Sequence, residues 1–474
     1  MELLINIGEF KNRYFPSKDG KESVRHDIGK AISILPYTTK YESKHKEVIE
    51  NFQYALGEFS RITYEKKVSD EEINLNNIDN YIAGVEIEDQ DKTALKSILK
   101  ELFFTEDEIY TFYPLLFNYI QGSKGVKEYN NKLGKFLYDV LLGNDHKEIL
   151  EKVKTCFDQQ PLNVLERLML NGLPKLSEDQ SKKEIQYYNS LPFISKIFKE
   201  DLSFMLEDTK FFLSGFQMLL KYYYFFYVAQ LSLKFSKLCH MEIDNEEMLF
   251  FNLDWETTSK TRTSYMRGWK MLESNMRALF SHANTLEILN TKDHKQCYDY
   301  WGIKQQIINM NTEEKSQFSN SIKDAINIYK QNIKDIDWNK FNFSTSHEDE
   351  IYDHINELFR TIDYQFNESK TSRKKAYNSY AKWFEEFCKS NFLRKRGSLG
   401  YTLNITQEYL LFLTKLCIKN QDKMKLKDLF EAYTKRGLYF DRDSQTKIIQ
   451  LFEKLNLIEK KSDSGDAQYV KSIL

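Results

Sequence analysis

The chain has 474 residues, 41% of them apolar and 15% aromatic, and a formal net charge of −2. It is long enough for more than one domain. The charge excludes a polycation that coats nucleic acid along its whole length, so any such contact must come from a local patch. Five widely spaced cysteines, with no CxxC pair, argue against a disulfide framework and a thiolate zinc site and fit reduced cytosolic thiols.

The N-terminus carries an acid at Glu2 and no apolar core, so it does not read as a signal peptide. The first 45 residues are irregular. From there helical spacing dominates. In DKTALKSILKELFF, Leu95, Ile98, Leu99 and Leu102 share one face and Asp91 is placed to cap. EYNNKLGKFLYDVLL and NVLERLMLNGL carry similar stripes. Phe211 to Phe235 is almost wholly apolar, but Gln217, Lys221 and Gln230 interrupt it. It reads as the central helix of a large core rather than a membrane span. HEDEIYDHINELFRTIDYQF places Ile351, Ile355, Leu358, Phe359 and Ile362 on one face. All six prolines lie at or before Pro192, which leaves the last 282 residues free to form long helices.

Charge shifts near the C-terminus. Residues 370–400 hold nine Lys/Arg against two Glu, and 401–474 hold thirteen against ten Asp/Glu. The last 105 residues thus carry about +10 and the rest about −12. This suggests an N-terminal helical region (1–200), a central helical region (201–370), a basic connecting segment (371–400) and a C-terminal domain (401–474).

That last part reads helix, short strand, helix, helix, hairpin. ITQEYLLFLTKLCIKN is capped by Thr406, KMKL is a strand, and KDLFEAYTKRG stops at Gly437. RDSQTKIIQLFEKL follows, with Ile448, Leu451, Phe452 and Leu455 facing inward. LIEKK and AQYVKSIL then flank the turn SDSGD. This is the order of a winged helix-turn-helix with a β-hairpin wing, so the fold expected is mainly α, a multi-helical body followed by that domain. The outward face of the third helix offers Arg442, Thr446, Lys447, Gln450 and Lys454 to DNA or to a partner protein. Lys395, Arg396, Lys460 and Lys461 add a basic patch. SDSGD reads as a wing tip with Gly465 at a left-handed turn position, not as a metal site, because the further acids of a calcium loop are missing.

A second basic stretch, LDWETTSKTRTSYMRGWKMLE, carries Lys260, Arg262, Arg267 and Lys270 between Trp255 and Trp269. It suits a nucleic-acid backbone, or else an amphipathic helix paired with acidic neighbours. No P-loop, HExxH or GxSxG motif occurs, the eight histidines are scattered, and ExK triplets are as frequent as charge content dictates. No catalytic residue, metal or cofactor is assigned.

RGLYFDRDSQTKIIQLFEKLNLIEKKSDSGDAQYVKSIL resembles the C-terminus of the DptG (DndG) family, and LDWETTSKTRTSYMRGWK and LGEFSR resemble other parts of it. The resemblance implies a cytoplasmic, non-catalytic subunit of a bacterial DNA phosphorothioation-dependent restriction complex. Host DNA there carries sulfur in place of a non-bridging phosphate oxygen, and DptF, DptG and DptH together attack DNA that lacks it. It implies DptF-like and DptH-like ATPases and double-stranded DNA as partners, and no membrane. The competing readings are a nuclease subunit with an unrecognised metal-dependent site and a free-standing transcription factor.

Overall fold

A computed structural model describes residues 4–18, 21–68, 81–82, 86, 88–105, 108–123, 125–143, 147–161, 163–179, 184–291, 296–345, 349–460 and 468–473. The chain is mainly helical, and among the described residues no helix is long and apolar enough to cross a membrane. It forms two compact units. One comprises residues 1–42, 187–194 and 225–474, the other residues 43–186 and 195–224.

In the second of these units the helices Gln53–Tyr64 and Lys127–Leu141 pack closely. Gly134 permits the approach: a Cβ there would lie 2.6 Å from Glu58 Cβ and 2.7 Å from the Ala55 carbonyl. LGEFSR belongs to this contact. Arg61 Nη2 donates to Glu58 Oε2 at 2.9 Å, and its Nη1 donates to the carbonyls of Asn118 and Ile120. Helix Asp89–Phe103 buries Leu99 and Phe103, while Ile98 and Leu102 are exposed. Its N-cap is Glu88 and Asp91 stands in the first turn, so both the expected cap and half of the expected stripe are corrected. The winning pair is a single i, i+4 step that meets Tyr81, Leu116 and Met169.

The first unit is built on helices whose bounds follow in chain order. They are α1 Ile7–Tyr14, α2 Thr209–Phe235, α3 Thr263–Met266, α4 Trp269–Arg277, α5 Leu279–Leu289 and α6 Tyr300–Asn309. α7 Thr312–Asn332, α8 Glu350–Glu368 and α9 Ser372–Asn391 come next. The last three are α10 Gln407–Ile418, α11 Leu426–Thr434 and α12 Arg442–Lys454. α2 is the apolar stretch expected to lie at a core, and Tyr222 to Phe235 are all buried. Only the part from Phe225 onward belongs to this unit. α5 is buried on every side, and α8 and α9 pack on it. On α8 the five expected apolar residues are all buried, together with Phe366 and the polar Asp353, Thr361 and Gln365. The segment 371–400, read from charge as a connection, is mostly α9. Tyr377, Tyr380, Ala381, Phe384, Phe387 and Cys388 form its buried stripe. Its lysines and arginines decorate the opposite side of a core helix.

The irregular N-terminus is held by α5. The Glu287 carboxylate, fully buried, accepts the backbone N–H groups of Gly29 (3.0 Å), Lys30 (3.1 Å), Ala31 (2.7 Å) and Ile32 (3.4 Å), and Arg13 pairs with it. His26 Nε2 and the Tyr329 hydroxyl of α7 meet at 2.6 Å.

Besides the short antiparallel pair Ser17–Lys18 and Lys21–Glu22, two small sheets complete the unit. In one, β1 (Asn252–Leu253) pairs in parallel with β3 (Tyr401–Ile405), which pairs antiparallel with β2 (Leu393–Lys395). In the other, β4 (Lys423–Lys425) and β5 (Ile458–Lys460) flank β6 (Gln468–Lys471), with Met424 and Ile458 both opposite Val470. Thr406 caps α10 as expected. On α12, Ile448 and Phe452 are buried, but the helix ends at Lys454 and Leu455 turns out to 39% exposure. Gly437 follows α11 at φ 74°, with its would-be Cβ 2.3 Å from the Phe226 ring. Gly437→Ala should therefore destabilise the protein by roughly 1–3 kcal/mol, read as a lower urea midpoint at unchanged slope.

Candidate nucleic-acid interface

α12 presents its sequence-expected outer face. Arg442, Thr446, Lys447, Gln450 and Lys454 are all exposed, and Ser444, Ile448 and Phe452 are buried. Lys447 Nζ reaches Gln450 Oε1 at 3.2 Å, so two members of the face are neighbours, as i, i+3 spacing requires. Lys460, at the end of β5, is exposed and paired with Glu453 at 2.9 Å. Lys461 and the SDSGD turn lie outside the described residues.

Arg262 points inward. Its Nε donates to Asp441 Oδ2 at 3.1 Å, and its Nη2 pairs with Asp441 Oδ1 and donates to Ser444 Oγ at 2.8 Å. Nη1 donates to the Thr257 carbonyl at 2.8 Å and lies 3.4 Å from Glu256. Asp441 is the N-cap of α12 and accepts the Ser444 N–H at 3.1 Å and the Ser264 N–H at 3.3 Å. Burial alone would raise its carboxyl pKa. The hydrogen bonds from Arg262 and the two serines outweigh that and hold it at about 2. Ser444 Oγ donates to Glu256 Oε1 at 2.8 Å, and Ser264 Oγ to Asn252 Oδ1 at 2.9 Å. Arg262, read as a candidate DNA contact, is thus the clamp that ties the 253–264 segment to the start of α12.

Arg396 is also spent internally. Its Nη1 donates to the Glu256 carbonyl at 2.6 Å, its Nη2 to the Leu253 carbonyl at 2.8 Å and its Nε to Thr402 Oγ1 at 3.2 Å. Burial, with the charge of Arg394 beside it, pushes its pKa down. Its neighbour Lys395 is exposed. Lys260, Arg267 and Lys270 are exposed too, whereas Trp269 is buried and Trp255 is 39% exposed.

The fold therefore joins what the sequence separates. β1 leads into the basic stretch and β2 belongs to the other basic run, and β3 pairs with both. Arg394, absent from the sequence-level candidates, is exposed and holds the Asp254 carbonyl. Its signal was available in FLRKRG, but nothing local distinguished it from Arg396. Among the described residues no group of three or more His, Cys, Asp and Glu side chains is gathered to hold a metal ion. Comparison of the chain with protein-family models and with curated proteins finds no match.

Proposed function

We propose that this protein is a non-catalytic subunit of a DNA phosphorothioation-dependent restriction complex. It would act in the cytoplasm beside DptF-like and DptH-like ATPases, in defence against unmodified foreign DNA. Residues 401–474 serve as its winged helix-turn-helix, with α12 the recognition helix. The observation that carries this reading is the arrangement after Thr406. Helix, strand, helix, helix and hairpin follow one another, and the first strand adds to the hairpin in the order β4-β6-β5. A wing built this way stands beside a helix whose outer face carries Arg442, Lys447 and Lys454 among the exposed acids Asp443 and Glu453. The family assignment rests on the sequence resemblance alone.

Lys447 and Lys454 act on the phosphate backbone of duplex DNA. The double variant Lys447→Glu, Lys454→Glu should weaken duplex binding by the protein or its complex at least tenfold at low salt. It should also flatten the salt dependence by about one unit per lost phosphate contact. Fluorescence anisotropy with a labelled duplex at several salt concentrations measures both. Undiminished binding would remove α12 from the interface. Failure of the chain to co-purify with DptF-like and DptH-like ATPases would remove the restriction-complex assignment.

A further inference from the structure

We propose that the loop 254–261 and the β2–β3 hairpin form a second nucleic-acid surface, one that takes single-stranded DNA. The proposal rests on the nucleic-acid reading above but not on the face of α12. Among the described residues three aromatic side chains are more than a third exposed, Tyr110, Trp255 and Tyr401, while the other rings are buried or partly buried. Two of the three belong to this one small sheet region. Trp255 follows Asp254, whose carbonyl Arg394 holds, and Tyr401 stands opposite Lys395 in the β2–β3 register.

The segments that carry these rings are rich in cations, and Lys389 Nζ lies 5.7 Å from the centre of the Tyr401 ring. No acid occurs from Thr257 to Leu272 or from Leu393 to Tyr401. Lys260, Arg394 and Lys395 are exposed, and the loop beside Lys260 is a run of hydroxyls, Thr257, Thr258, Ser259 and Thr261. Of the two acids that flank Trp255, Glu256 is committed elsewhere, and the Asp254 carboxylate lies within electrostatic reach of Arg396. Glu256 is 5% exposed and accepts the Leu253 N–H and the Ser444 hydroxyl. Asp254 is half-buried, its N–H bonded to the Ile405 carbonyl at 3.2 Å. Asp443 is exposed and lies 3.6 Å from Arg262. Arg262 and Arg396 hold the loop in place from beneath, so the exposed rings and cations are presented on a fixed backbone.

This combination suits a single strand. Its bases have free faces to stack on exposed rings, while cations and hydroxyls follow the phosphates. A duplex buries its base faces in its own stack and would leave Trp255 and Tyr401 without a partner. The hairpin tip is also unobstructed: Gly397 and Gly400 have positive φ and open space where a Cβ would be.

The test uses the full chain and a fluorescein-labelled oligothymidylate of twenty nucleotides, followed by anisotropy and by tryptophan emission. Saturable binding is expected, with quenching of the emission. Trp255→Ala should weaken it about tenfold and abolish the quenching, and Trp255→Phe should restore most of the affinity but not the quenching. Lys260→Glu with Lys395→Glu should weaken it by a similar factor, while Lys427→Glu on α11 should leave it unchanged. Circular dichroism checks that each variant is folded, and the lysine pair tests the surface independently of the ring. Absence of binding at 10 μM protein, or parent-level affinity in both Trp255→Ala and the lysine-pair variant, would overturn the proposal. Duplex binding that depends on Lys447 while Trp255→Ala changes nothing would overturn it and leave the α12 reading standing.

Discussion

Arg262→Ala is expected to destabilise the C-terminal helices by about 3 kcal/mol, the cost of leaving one side of a desolvated ion pair without its partner. Asp441, Glu256 and Ser444 all lose a donor or a counter-charge at once. Arg262→Lys should recover little, because one ammonium cannot reproduce a forked contact to Asp441 together with the Thr257 carbonyl. Chemical denaturation of the full chain measures the loss, and hydrogen exchange should place it at the first turns of α12 and in residues 253–264. The same clamp sets a pH dependence. Asp441 has a folded pKa of about 2, below its ordinary value of 3.8, so its contribution is complete above that ordinary value. It is lost as pH falls from about 4 towards 2. Asp441→Asn should remove this acid-side slope while keeping part of the N-cap. A slope unchanged in Asp441→Asn would show that another carboxyl sets it.

Glu287→Ala is expected to cost a similar amount, about 3–5 kcal/mol, by a different route. Four consecutive backbone N–H groups, from Gly29 to Ile32, lose their acceptor, and Arg13 loses its counter-ion. The carboxylate is fully buried, and both Ala31 and Ile32 are buried as well, so water replaces it poorly. The visible result should be release of the N-terminal arm. Limited proteolysis should cut between residues 15 and 40 in Glu287→Ala under conditions that leave the parent chain whole. Glu287→Gln keeps an acceptor oxygen for the amides but loses the charge facing Arg13, and should fall between the two. Equal protease resistance in parent and Glu287→Ala would mean that apolar packing, through Phe10 and Tyr14, holds the arm without the carboxylate.

Long periodic segments were legible without coordinates. α8 and α12 show why: an apolar residue recurring at i, i+3, i+4 has to find a neighbour, and the spacing alone says which side will do so. α9 was hidden because its charges were counted before its stripe. Lysine and arginine stems lie along a core helix while their heads reach water, so a run of positive charge says little about exposure of the backbone beneath. The helix Asp89–Phe103 failed in the opposite direction. Four apolar positions shared one face, and neighbours were supplied for only part of it.

The candidate interface divides along the same line. Helical phase by itself determined which side chains of α12 face out, since Ile448 and Phe452 must face in and thirteen residues leave no freedom for the rest. Composition by itself determined that any contact with a polyanion would be local. Only tertiary structure decided which arginines were free to make one. Arg262 and Arg396 are indistinguishable in sequence from Lys260 and Lys395, and lie within two residues of them. They were drawn inward because buried carbonyls, the Asp441 carboxylate and the Ser444 hydroxyl had to be satisfied, and the groups they satisfy come from residues up to 182 positions away. Hydrogen-bonding demand of that kind is not written in any local pattern. It arises when β3 brings 252–253 beside 404–405, and when the turn before α12 leaves its N-cap aspartate facing the Arg262 guanidinium.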